Sequence, residues 1–157
     1  MKKTLLIYTI LLIWAPLKAQ EDWSVYLEQA HKDADYCQTF YDTMSEHKME
    51  TSTAAGYYAV SNMMLAKKYA NPFVKLKYFN AGRELLDKAI SKDSTNVELR
   101  FLRFAVQTEV PSLLFYFGEK EEDKRMLDNY ISHRSDNLAD RIWKYYNLKN
   151  ISPDKES

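Results

Sequence analysis

The chain has 157 residues, and its 22 basic and 22 acidic side chains give a formal net charge of zero. This balance argues against a protein that recruits nucleic acid by neutralising phosphates. Its 3 glycines and 4 prolines are too few for the many tight turns of a β-sandwich or barrel. We therefore predict an all-α fold.

The first nineteen residues have the layout of a secretory signal peptide. Lys2 and Lys3 precede an apolar run over 4–17, and Ala19 supplies a small residue at the exit. A bilayer-spanning helix needs roughly 20 apolar residues, so we expect a cleaved leader over 1–19. Cleavage would leave 138 residues, with 19 basic and 22 acidic side chains and a net charge of −3. We expect export to the periplasm or extracellular space, with no stable membrane insertion.

Apolar residues at three- and four-residue steps predict one domain over 20–150, built from antiparallel helical hairpins as an array or bundle of five to six helices. The tail over 151–157 is expected to fray. The predicted helices cover 22–44, 54–70, 73–92, a segment from a Thr95–Glu98 capping box to Val110, a segment opened by the charged stretch 119–125, and 136–148.

The packing of three individual residues can be predicted from the sequence. Gly82 inside a helix costs about 1 kcal/mol relative to alanine, and close approach of a neighbouring backbone would explain it. Leu76 and Trp143 are expected on the inner faces of their helices, because both fall on apolar stripes.

Cys37 is the single cysteine of the chain, so no internal disulfide can form. It lies between Tyr36 and Phe40 in a helical pattern, where free cysteine usually behaves as a small buried hydrophobe. We favour the buried interpretation over a reactive thiol. A homodimer linked through Cys37 is an alternative.

Two resemblances follow from short motifs. The segments Leu65-Ala66-x-x-Tyr69 and Gly82-x-x-x-Leu86-x-x-Ala89 resemble the tetratricopeptide pattern, with a turn four residues too long and no Trp or final Pro. The run from Asn71 to Asp128 is similar to a family of small exported proteins from Bacteroidetes-type bacteria; its motifs are Phe79-Asn80-x-Gly82, Glu98-Leu99-Arg100-Phe101-Leu102-Arg103-Phe104, Pro111-Ser112-x-Leu114 and Glu122-Asp123-Lys124. That resemblance implies a leader, a helical fold and a bacterial envelope setting, and no catalytic or ligand-binding residues.

Arg100, Arg103 and Gln107 form a polar line along one predicted helix. Guanidinium groups that lie between aromatic neighbours can bind a carboxylate or a peptide, so these residues are candidate binding residues. The same arginines could instead pair with Glu122 and Asp123 on the following helix, and we favour this internal pairing.

The aromatic residues are numerous, with 12 tyrosines, 7 phenylalanines and 3 tryptophans. Most fall on inner stripes and are predicted to fill the core. The expected exceptions, of which the first two are also candidate binding residues, are Tyr57, Tyr58, Tyr78, Tyr116 and Tyr145.

Glu28, His31 and Asp35 would share one face of a continuous first helix. Bundle metal sites need a second Glu-x-x-His step and further glutamates, which the sequence lacks, so we favour a solvated polar stripe. No motif for a catalytic nucleophile or a phosphate-binding loop is present. We predict no metal and no cofactor.

The leading functional hypothesis is a non-catalytic, exported helical module that binds a protein or peptide in a groove between hairpins. The alternative is a small periplasmic hydrolase or ligand carrier with its site between the second, third and fourth predicted helices.

Overall fold

The computed structural model describes residues 22–48 and 50–154, so the leader predicted for 1–19 lies outside it. Its helices are α1 (Ser24–Lys32), α2 (Tyr36–His47), α3 (Ser52–Leu65), α4 (Pro72–Lys92), α5 (Val97–Glu109), α6 (Lys120–His133) and α7 (Asn137–Lys149), with 3-10 turns at Ala66–Lys68 and Ser112–Leu114. These described residues contain no strand, which confirms the all-α fold. None of these helices is both long enough and apolar enough to cross a bilayer.

The first predicted helix, 22–44, is two helices. α1 ends at Lys32 because Asp33 adopts an extended backbone with φ −129° and ψ 114°. The Asp35 backbone N–H donates to the Asp33 carboxylate at 2.9 Å, a local bond of the kind that competes with helix continuation. The apolar spacing continues into α2 because both helices pack against the same core.

The capping box predicted at Thr95 is wrong by one residue. Asn96 caps α5 instead, and its side-chain oxygen accepts from the Leu99 N–H at 3.2 Å. The Glu98 carboxylate does not turn back to the cap, because it binds Tyr57 and Arg141. A long-range contact thus replaces the local one that the sequence favoured.

α3 and α4 pack as an antiparallel hairpin. Gly82 lies against Ala59 and Met63, whereas Tyr78, earlier in α4, stacks on Tyr69, which follows α3, with ring centroids 5.0 Å apart. A Cβ atom at Gly82 would lie 2.5 Å from the Ala59 carbonyl oxygen. The predicted close backbone approach at Gly82 is confirmed.

Two buried clusters form the interior, and α5 contributes to both. Leu99 and Leu102 face the first cluster, which is built mainly from α1 to α4. Phe101 and Phe104 face the second cluster, which α5 shares with α6 and α7. α5 therefore connects the two buried clusters, because its opposite sides pack into different clusters.

Several burial predictions were wrong. Leu76 is 43% exposed, since it lies in the early part of α4 that extends past the end of α3. Trp143 is 41% exposed because Ala139, Ile142 and Tyr146 form the inner face of α7.

Tyr57 and Tyr116 were expected at the surface but are buried. Burial of tyrosine is favourable when its hydroxyl finds a partner. The Tyr57 hydroxyl donates to Glu98 at 2.7 Å, and that of Tyr116 donates to Asp87 at 2.8 Å.

Residues 151–154, the described part of the tail expected to fray, hydrogen bond to α6 and α7. The Ile151 N–H donates to the Tyr146 carbonyl at 2.9 Å, and the Asp154 N–H donates to Asp128 at 3.0 Å. An ion pair of 2.9 Å between Asp154 and Lys124 adds to these contacts.

Candidate functional site

The arginines of α5 form the ion pairs that the sequence analysis favoured. Arg103 binds Asp123 through two hydrogen bonds of 2.7 and 2.8 Å. Arg100 donates to Asp123 at 2.9 Å and to Glu122 at 3.2 Å. Asp123 is fully buried, so its charge depends on both guanidinium groups. This network fixes α6 against α5.

The ionisation of Arg103 is consistent with a structural ion pair. Burial by itself lowers the pKa of this guanidinium, but the hydrogen bonds to Asp123 and the charges of Asp123 and Glu119 together outweigh burial and leave the pKa above its ordinary value. Gln107, the third candidate on α5, donates to Glu119 at 3.2 Å. Its buried Oε1 atom has no hydrogen-bond partner among the described residues.

A second polar cluster joins α3, α5 and α7. Arg141 donates to Glu98 at 2.7 Å and to the Tyr57 hydroxyl at 2.5 Å, and its guanidinium lies over the Phe101 ring. Burial raises the pKa of Tyr57 strongly, and the neighbouring Glu98 charge adds to this effect. The Tyr57 hydroxyl therefore stays protonated and acts as a fixed donor.

Tyr58, the remaining sequence candidate, is half-buried in a different place. Its hydroxyl lies 3.4 Å from that of Tyr41, and Lys48 lies over its ring. The hydrogen bond between the two hydroxyl groups raises the pKa of Tyr41 to about 12.

An apolar cleft of about 700 Å³ opens between α1, α3, α4, α5 and α7. Its walls are mostly aliphatic, thioether and aromatic side chains, including Val60, Met63, Met64, Phe79, Leu102 and Val106. This volume falls in the range of sites that bind one small molecule, roughly 300–1,000 Å³. Methionine side chains adapt to irregular ligands because they are unbranched and polarizable.

The candidate residues and the apolar cleft do not coincide. Arg100, Arg103, Gln107, Tyr57 and Tyr58 are all absent from its walls.

Charged residues that the sequence analysis did not name as candidates also line the cleft, among them Lys32, Lys67, Lys75 and Arg141. They are far apart in the chain and each resembles an ordinary surface position. No local spacing could have identified them.

Cys37 is buried, which confirms the favoured interpretation. Its thiol donates to the Ala30 carbonyl at 3.5 Å. Burial raises the pKa of Cys37, although the nearby Lys67 and Lys68 charges oppose this effect. The neutral thiol is a poor nucleophile.

The connection between α5 and α6 presents an exposed apolar loop, which we define as residues 113–117. Leu113 is 78% exposed, Phe115 is 72% exposed and Phe117 is 54% exposed. The buried Tyr116 anchors the loop to the core, since its ring packs edge-on against Phe79. Phe115 has φ 48° and ψ 41°, a left-handed conformation that is unfavourable for a bulky residue.

Glu28, His31 and Asp35 do not share one face of a continuous helix. α1 ends at Lys32, so Asp35 belongs to the connection that follows Glu28 and His31. Within residues 22–48 and 50–154, no group of three or more His, Cys, Asp or Glu side chains has an arrangement that could hold a metal ion.

Comparison with protein-family models, curated proteins and solved structures yields no match to this chain. The resemblance to exported bacterial proteins stays a prediction. The apolar cleft and the exposed loop are the two features of the described residues that point to a function.

Proposed function

We propose that this protein is a non-catalytic carrier that holds an apolar small molecule in the apolar cleft. The observation that carries the proposal is a cleft of about 700 Å³ whose walls are predominantly apolar. Pockets of this size and composition bind small molecules by removing apolar surface from water. The cleft is bounded in part by α3, α4 and α5, which correspond to the second, third and fourth helices predicted from the sequence.

The polar groups of the cleft favour binding over catalysis. Ser24 and Tyr145 are the hydroxyl residues in its lining. The Ser24 hydroxyl donates to Asp22 at 2.5 Å, and the Tyr145 hydroxyl donates to Glu109 at 3.2 Å. A catalytic serine needs a base that accepts its proton and a third group that orients the base, whereas Ser24 is bonded to a carboxylate two residues away.

The carrier function is tested by binding of Nile red, an uncharged dye whose fluorescence rises in apolar surroundings. We expect saturable binding at one site per chain. Ala105 lines the cleft, so Ala105→Phe should fill part of it and weaken Nile red binding at least about tenfold. Ala81→Phe is the matched control, because Ala81 is exposed on α4 and lies outside the cleft lining.

Thermal melts of both variants establish that each is folded. Failure of Nile red to bind the wild-type protein would reject the carrier function. Equal weakening by the two variants would also reject it, because dye binding would then not depend on the cleft.

Docking of a protein partner on the exposed loop is the second candidate function. The loop presents three large apolar side chains, and Tyr116 holds it in place. Apolar side chains clustered at a surface are typical of protein-binding sites. This candidate has the same function as the protein-interaction module predicted from the sequence. Its binding site is the exposed loop and not the α5 arginines.

A photo-crosslinking amino acid at position 117 tests the second candidate in cells of the native host. We expect one discrete adduct from position 117 and none from position 88, since Lys88 is an exposed control residue on α4. An adduct of equal yield from both positions, or from neither, would argue against docking on the loop.

The cellular setting of both candidates is an extracytoplasmic space, on the basis of the leader predicted from the sequence. Mass spectrometry of protein recovered from the periplasm or medium should show a chain that begins at Gln20. Recovery in the cytoplasm of a chain that retains residues 1–19 would contradict this setting.

A further inference from the structure

Three lysines around the apolar cleft have no ionic partner among the residues that the structure describes. Lys32, Lys67 and Lys75 line the cleft, and none of them forms an ion pair with another described residue. All three lysines are exposed, and their side chains adjoin a cavity with apolar walls. A ligand in the cleft would therefore meet uncompensated positive charge.

The other lysine and arginine in the lining are already paired. Lys144 binds Glu28 at 3.1 Å, and Arg141 binds Glu98 at 2.7 Å.

The acidic side chains in the cleft lining also have ionic partners. Glu109, which lines the cleft, forms a 2.5 Å ion pair with Lys149, and this ion pair lowers its pKa against the opposing effect of burial. The local pairs leave no carboxylate in the lining to neutralise the three lysines.

Each unpaired lysine comes from a different element. Lys32 is the last residue of α1, Lys67 lies in the 3-10 turn after α3, and Lys75 lies in the first turn of α4. The field of Lys67 reaches the Cys37 thiol, which hydrogen bonds to Ala30 in α1. Lys32, Lys67 and Lys75 all line the same cleft, although they come from separate elements.

We infer that the ligand is a single-chain amphiphile whose apolar tail lies in the cleft and whose anionic head contacts Lys32, Lys67 and Lys75. This inference rests on the carrier function proposed above. The apolar walls favour a hydrocarbon chain over a polyanion, which would lose its hydration without compensation. The lysines favour an anionic head over a neutral or cationic one, because opposite charges attract strongly next to a low-dielectric wall.

A carboxylate and a phosphate monoester offer the same kind of head. Lysine is a compact charge that binds either group without the planar geometry that arginine imposes. Dodecanoate and dodecyl phosphate are therefore the two charged probes, and dodecanol is the uncharged probe with the same tail.

The test is calorimetric titration of the purified protein with each probe below its micelle concentration, with displacement of Nile red as a second readout. At low ionic strength we expect a charged probe to bind about tenfold more tightly than dodecanol. Added salt should reduce this preference, since screening weakens interactions between exposed charges. The tighter of the two charged probes identifies the head group.

A triple variant tests the named lysines. Lys32→Gln, Lys67→Gln and Lys75→Gln together should remove the preference for the charged probe and leave dodecanol affinity within about twofold of wild type. The control triple variant makes the same change in net charge outside the cleft, at the exposed α4 residues Lys77, Lys88 and Lys92. It should keep the preference.

The outcomes separate this inference from the carrier function. If Nile red and dodecanol bind but the charged probes gain nothing, the anionic head is refuted and the carrier function survives. Equal loss of preference in the two triple variants would also refute contact with the three named lysines. If no probe binds, both the carrier function and the inference fail.

Discussion

Replacing Gly82 with alanine should have two opposing effects on stability. It raises the helix propensity of α4, and it creates a clash between α3 and α4. The new methyl carbon would lie 2.5 Å from the Ala59 carbonyl oxygen and 3.0 Å from the Met63 amide nitrogen, whereas ordinary Cβ contacts are 3.4–4 Å. Both neighbours are backbone atoms of α3, so neither can rotate away. The two helices must move apart locally, and the close-packed interior resists this movement.

The magnitude follows from two opposing contributions. Alanine in place of glycine inside a helix is worth about 1 kcal/mol, while forcing extra volume into a packed core costs typically about 1–3 kcal/mol. Because the clash at Gly82 involves backbone, we take the upper part of that range. Gly82→Ala should lower the free energy of unfolding by about 1–2 kcal/mol, which corresponds to a fall in melting temperature of about 3–10 °C.

Urea titration followed by circular dichroism measures this effect, with an unchanged m-value as the sign of intact two-state unfolding. The matched control is Gly118→Ala, since a Cβ atom at Gly118 has no neighbour within 4 Å and its backbone φ is not positive. Gly118→Ala should leave stability unchanged or raise it by up to about 1 kcal/mol. A Gly82→Ala protein as stable as the wild type would refute the close approach of α3 and α4.

Three further measurements address other parts of the structure. Asp123→Asn should lower the free energy of unfolding by about 3 kcal/mol, because it removes the main counter-ion of the buried Arg103. Arg103 would keep only its longer pair with Asp87, at 3.7 Å, and the half-buried Arg100 would keep its pair with Glu122. Glu122→Gln, at a side chain that is 60% exposed, should cost less than about 1 kcal/mol, and equal losses would contradict the network. Cys37 should react with a thiol reagent at least about a hundredfold faster in denaturant than in the native state, and fast native labelling would show that it is accessible. Burial raises the pKa of Tyr57 and Tyr146 above the value of about 10 that tyrosine has in the unfolded chain, so the unfolded chain loses these protons first. Their contribution to stability is therefore present below about pH 10 and is lost as the pH rises beyond it; a melting temperature that stays constant up to about pH 11 would contradict this linkage.

Apolar periodicity was sufficient to predict the helical class and most helix positions. The core stripe that includes Phe79, Leu86 and Ala89 is buried as expected, because any helix with these spacings must cover them. The close approach at Gly82 could also be predicted, since glycine inside a helix is costly unless a neighbour needs the space. The burial of Cys37 was predicted from the same apolar pattern, and it is confirmed.

Local rules failed where a tertiary contact outweighed them. Glu98 was expected to complete a capping box and instead binds Tyr57 and Arg141. Tyr116 was expected at the surface and is buried, because the Asp87 carboxylate accepts a hydrogen bond from its hydroxyl. The partners in these contacts lie 29 to 43 positions apart in the chain, so no sequence window could contain both.

The sequence by itself determined which faces of the helices are apolar and offered two roles for the α5 arginines. Tertiary structure decided where the empty space lies and which charges surround it. Lys32, Lys67 and Lys75 come together at one cleft only because the α3–α4 hairpin packs against α1. A cleft is the space that packed elements leave unfilled, so its position depends on the relative placement of whole helices and leaves no periodic pattern in the chain.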